Sequence, residues 1–178
     1  MALNLCCNLQ KNLLRTNTCG YSLPEVKDIY LANFSDVTTA DVDYNCESGV
    51  TVTAITPTGV TFYHIEPAKN SVTFTDELVV EDNGNKYRTH TLTFGLSGKY
   101  DKDMVSPVDA LSLGRFFVVV ATADGEYLAL GRTTGMEASE QSISGGGDSN
   151  GITVTLTTNI TETAIPLSEA AINVVKGN

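Results

Sequence analysis

Residues 144–151, SGGGDSNG, are the stretch whose composition most suggests chemistry. A glycine-rich loop cradles phosphate when a strand enters it, a helix leaves it, and a lysine followed by serine or threonine supplies charge. Here a strand pattern, GITVTLT, follows, and no lysine occurs after the cluster until Lys176. The helix N-terminus that would present backbone N–H groups to an anion is missing from the pattern. Calcium needs about six to eight oxygens from several residues, and this cluster offers the carboxylate of Asp148 alone. Asp36, Asp41 and Asp43 are spaced more like a solvated loop than a ligand set. The glycines therefore read as a pliable joint.

The other reactive side chains give equally little. Cys6, Cys7, Cys19 and Cys46 contain no C-x2-C pair, and His64 and His90 lie far from them in sequence. That is no zinc pattern, and the expectation is buried free thiols in a reducing cytoplasm. Both histidines fall inside strand patterns, VTFYHIE and YRTHTLTF, with His90 on the same face as Leu92 and Phe94. No G-x-S-x-G elbow is present, and no carboxylate pair stands out. The reading is a chain without catalytic residues, without a cofactor and without a metal site.

The elements that would position any site are mostly strands. LNLCCNLQKNLLR (3–15) places Leu5, Leu9 and Leu13 on one face and predicts a short amphipathic helix, within an N-terminal arm over 1–24. VKDIYLANF (26–34) reads as a strand. GVTVTAIT (49–56) and GVTFYHIE (59–66) read as a hairpin about Pro57–Gly59. SVTFTDELVVE (71–81) and KYRTHTLTFGL (86–96) form a second, longer hairpin about Asn83-Gly84, a strong turn signal between alternating runs. A helix is expected at about 106–113, with Asp103 or Ser106 as its cap and Gly114 as its stop. RFFVVVAT (115–122) is almost continuously apolar and turns at Asp124-Gly125 into EYLALG, which predicts the most buried hairpin. Residues 132–150 read as a long loop delivering the chain into GITVTLT. The tail begins extended and ends in one helical turn.

The 178 residues thus suit one mainly β domain, an antiparallel sandwich or partly closed barrel with a flanking helix. No apolar run is long enough to span a bilayer, and the opening MALNLCCNLQ does not read as a secretory signal. A net charge of −10 argues against binding nucleic acid by phosphate neutralisation. Threonine fills the strands: TVTAITPT, VTFT, RTHTLTF, ITVTLTT. Such strands keep high β propensity with one polar face, which suits water, a wet channel or a seam between subunits.

Three segments carry a resemblance: KDIYLANFSDV, FYHIEPAKNSVTFTDELVVEDNGNKYRTHTLTF and GEYLALGRTTGMEASE. Together with the order of parts over residues 25–168, the chain resembles tail tube (major tail) proteins of tailed bacteriophages, especially of phages infecting Bacteroides-type bacteria. The segment 3–15 has no counterpart in that resemblance. The resemblance implies a virion protein, assembled in the host cytoplasm, that forms stacked hexameric rings. Hairpins would join into an inner barrel, and double-stranded DNA would pass an electronegative lumen without specific binding. Other tail proteins would be partners, and no membrane would be involved. On that reading the hairpin residues Thr73, Thr75, Glu77, Arg88, His90 and Thr91 would face the lumen or a subunit seam. Met136, Glu137, Ser142, Ile143, Gly146 and Asp148 would form a loop between rings. A head–tail connector or tail-terminator ring is the nearest alternative. A β-sandwich decoration or adhesin module is the other, although there is no Trp and the Tyr residues are scattered.

Overall fold

A computed structural model describes residues 8, 9, 12, 13, 25–97, 100–145 and 151–177. Most of the helix expected over 3–15, and the residues Gly146 and Asp148, lie outside this set; residues 8, 9, 12 and 13, which are described, are not helical. The described chain is mainly β and antiparallel, with two short helices.

The organising strand is β7, Arg115–Thr122, the apolar run RFFVVVAT, in which Phe116 to Ala121 are all buried. One edge of β7 pairs with β1, Val26–Asn33, setting Ile29 opposite Val120 and Leu31 opposite Val118. The far edge of β1 carries the short β4, Tyr63–Ile65. The other edge of β7 is shared. Its residues Val118–Ala121 pair with β8, Tyr127–Leu130, while Arg115 and Phe116 pair with Glu137 and Met136 of β9, Met136–Ser144. The sheet forks there. One arm adds β11, Ile165–Pro166, to β8. The other continues from β9 through β10, Gly151–Ile160, and β6, Lys86–Leu96, to β5, Thr73–Val80. The sheet is not closed into a barrel: its arms end at β11, β5 and β4.

Side chains alternate across a strand, so β7 feeds two cores. Phe116, Val118 and Val120 pack with Leu92, Phe94, Val154 and Leu156 of β6 and β10. The helix α1, Val105–Leu113, adds Val108 and Leu111 to this core. Phe117 and Val119 pack instead with Val52, Ile55, Ile165 and Ala171. This second core lies under a separate two-stranded sheet, β2 (Thr39–Asn45) and β3 (Gly49–Thr56), and under α2, Glu169–Lys176. Burial on both faces is why the β7 sequence is apolar without alternation.

Four expectations are corrected. β3 does not pair with the 59–66 segment; it pairs with β2, and β4 joins β1. The reason is turn chemistry at 45–49. Asn45 Oδ1 accepts the N–H groups of Glu47 (2.9 Å) and Ser48 (3.0 Å), and Gly49 takes φ +134. The stretch 132–150, expected as a loop, contains the nine-residue strand β9. α1 starts after Met104 with no side-chain cap, so neither Asp103 nor Ser106 caps it. α2 is longer than a single turn. Ser168 Oγ accepts from Ala171 N–H at 3.4 Å, and Gly177 ends it at φ +71.

Candidate functional site

The strands β5, β6, β10 and β9 lie side by side, and their two faces differ sharply. Inward go Phe74, Leu92, Phe94, Ile152, Val154 and Leu156. Outward, the register aligns residues into rows. Thr73 is opposite Thr93, which is opposite Thr155, which is opposite Glu140. The next row runs Thr75, Thr91, Thr157, Glu137, and beside it Glu77, Thr89 and Asn159 align. Cross-strand hydrogen bonds tie the rows together: Thr93 to Thr155 at 3.1 Å, Thr91 to Thr157 at 3.5 Å, and Thr89 Oγ1 donating to Asn159 Oδ1 at 2.9 Å. Ser142 extends this face opposite Thr153. Among the described residues these four strands place hydroxyls and carboxylates here, and no lysine or arginine. Arg115 of β7, opposite Glu137, is bound to it at 2.6 Å.

The hairpin residues singled out in sequence divide accordingly. Thr73, Thr75, Glu77 and Thr91 share the outward face. Arg88 and His90 point the other way, and His90 is fully buried, so neither belongs to an accessible lining. Period-2 alternation places them there: both are even-numbered residues of β6, like Leu92 and Phe94. The proposed loop contacts also separate. Met136 is fully buried in the first core. Glu137 and Ser142 are exposed on the outward face, and Ile143 is half exposed at the end of β9.

Arg88 and His90 instead belong to a partly buried charge cluster on the other face of the β5–β6 hairpin. Arg88 Nε donates to Asp76 Oδ1 at 2.5 Å, and Asp76 Oδ2 accepts the Ala164 N–H at 2.9 Å. Arg132 grips Glu162 with two hydrogen bonds, 2.8 and 2.5 Å, and donates to the Ala40 carbonyl at 2.6 Å. His90 Nδ1 accepts from Gly131 N–H at 3.2 Å, while its Nε2 has no hydrogen-bond partner. Burial holds this imidazole below its usual pKa. The Asp76 carboxylate and then the Glu162 carbonyl and carboxylate oppose that shift, and Arg88 reinforces it. Sequence reading missed Arg132, Glu162 and Asp76, because their partners are 30 or more residues away in the chain or sit across a hairpin.

His64 is the other histidine. Its Nε2 bonds Asp28 Oδ1 at 2.8 Å, and its ring stacks on Tyr30 at 4.9 Å. It lines an apolar groove of about 410 Å³ between β4 and α1, which Ser106 also borders. Among the described residues no serine or cysteine is hydrogen-bonded to it. Nor do the described residues hold a group of three or more metal-ligating side chains. A polar cavity of about 570 Å³ opens beside the threonine face, between Phe34, Arg115, Thr134 and Asn159. Cys46 is disulfide-bonded, which corrects the free-thiol expectation; the other cysteines lie outside the described residues.

Comparison with protein-family models, curated proteins and solved structures finds no match for this chain.

Proposed function

We propose that the chain is a non-catalytic structural subunit that self-assembles into stacked rings as a phage tail tube. In that assembly the face of β5, β6, β10 and β9 is the wet surface past which DNA moves. One observation carries the reading: a broad strand face built from aligned threonines and carboxylates, with no lysine or arginine contributed by those four strands. Attraction between protein and DNA comes chiefly from cations that neutralise phosphates and release counterions. The four strands offer none, the adjoining Arg115 of β7 is paired with Glu137, and several of the hydroxyls bond one another across strands. Such a surface stays hydrated and repels a polyanion weakly, which suits passage.

The open edge of β5 supports assembly. Among the described residues it pairs on one side only, with β6, leaving a row of backbone groups for a neighbouring copy. Asp76 and Glu77 on that strand discourage indiscriminate pairing while leaving a specific seam possible. A connector or terminator ring differs in stopping at a single ring.

The test is negative-stain imaging and sedimentation of the purified full chain over a concentration series. Rings and stacked tubes are expected. Single rings would favour the connector variant, and a monomer at high concentration would defeat the proposal.

A further inference from the structure

His90 is buried at the centre of a charge cluster, and its two nitrogens meet different demands. Nδ1 accepts the Gly131 amide proton at 3.2 Å, so the neutral ring carries its own proton on Nε2. Nε2 faces Asp76 Oδ1 at 3.4 Å without forming a hydrogen bond. Protonation would add a hydrogen at Nδ1, where a backbone N–H already donates. Two donors would then confront each other in a site closed to water.

The charged groups around the ring come from every neighbouring element. Asp76 is on β5 and Arg88 on β6. Arg132 is in the 131–135 turn, and Glu162 lies between β10 and β11. β10 contributes the uncharged Thr158, opposite His90. Burial outweighs the pull of Asp76 and Glu162, so the ring is harder to protonate here than in water.

Gly131 begins the turn that carries the chain from β8 into β9. Its φ is +63, and its carbonyl accepts the Gly135 N–H at 2.7 Å. The next residue, Arg132, binds Glu162 and the Ala40 carbonyl of β2. The His90–Gly131 bond therefore fixes a turn that holds together β6, β9 and the second sheet.

We propose that His90 is an acid-sensitive latch: neutral, it pins the 131–135 turn to the β5–β6 hairpin; protonated, it releases that turn and the β9 edge of the threonine face. The direction with pH follows from which state takes the proton first. An unfolded chain protonates near the ordinary histidine value of about 6.5, ahead of the buried ring. The stabilisation is complete above about pH 6.5 and is lost as pH falls from there to the folded-state value. For one proton the unfolding constant rises by at most about tenfold per pH unit.

The experiment is imidazole nitrogen NMR together with amide hydrogen exchange on the full chain, from about pH 7.5 to about pH 5. At the upper end the His90 spectrum should show the Nε2–H tautomer. Below about pH 6, exchange at Gly131, Arg132 and Met136–Ser144, corrected for its intrinsic pH dependence, should speed severalfold before β7 responds. His90→Asn keeps an acceptor near the Nδ1 position without titrating and should flatten that response. His64→Asn removes the remaining histidine and should leave the response unchanged. The latch is wrong if His90 titrates at the ordinary value, or if the turn and β9 exchange alike on both sides of its titration. Should His90→Asn fail to fold, the titration and exchange of the unmodified protein decide the matter alone.

Discussion

Thr93 and Phe94 adjoin in the chain and point to opposite environments. Phe94 is fully buried in the first core, and Thr93 bonds Thr155 on the outward face. Phe94→Ala should cost about 3–5 kcal/mol in urea unfolding, through lost burial and the cavity it leaves. Thr93→Val keeps the shape, loses one neutral, partly exposed hydrogen bond, and should cost no more than about 1 kcal/mol. A large loss from Thr93→Val would mean that the outward hydroxyls are structural, not a free surface. The buried charges behave differently again. Glu162 is 3% exposed and Arg132 13%. Arg132→Met strands a buried carboxylate and should destabilise by about 3–5 kcal/mol, while changing Glu162 to Met as well should recover part of that loss. Denaturation of the two single variants and the double variant gives the coupling directly.

At the scale of elements, the turn from β8 to β9 is the tightest constraint. A Cβ at Gly131 would sit 2.5 Å from Met136 Cγ, and φ there is +63. Gly131→Ala should therefore cost more than Gly125→Ala, where φ is +90 but nothing lies within 4 Å. Thermal unfolding of the two variants ranks them. The β7–β8 and β5–β6 hairpins are legible in sequence because Asp-Gly and Asn-Gly turns flank continuous or alternating apolar runs. β9 is not legible, for a physical reason. Between Thr155 and Leu156 the pairing slips: Thr155 faces Glu140 while Leu156 faces Ala138. The bulge leaves Ser139 extra and shifts the inward phase from Met136 and Ala138 to Gln141 and Ile143, so MEASEQSIS shows no period of two. β2 hides for another reason, since its outward positions carry Asp41 and Asp43 and look like loop. Four of the six hairpin residues singled out in sequence lie on the outward face, where alternation placed them. The charge cluster was not, because nothing local links Asp76, Arg132 and Glu162.

For the whole molecule, charge decides what the threonine face does. With a net charge of −10 and no lysine or arginine from its four strands on that face, the protein should not retard duplex DNA at moderate salt. Thr75→Lys with Thr153→Lys places cations at two exposed positions of the face. The double variant should fold normally and acquire weak DNA binding that vanishes as salt rises, read by gel retardation across a salt series. Binding by the unmodified protein would contradict a passive surface. The most direct measurement is an electron cryomicroscopy map of the assembled particle with the strands traced. A central channel bounded by the outward face of β5, β6, β10 and β9 is expected, with Thr91, Thr155 and Glu140 exposed to it. A map that turned this face to the particle's exterior, or sealed it in a dry interface between copies, would rule out a lumen-lining role for it.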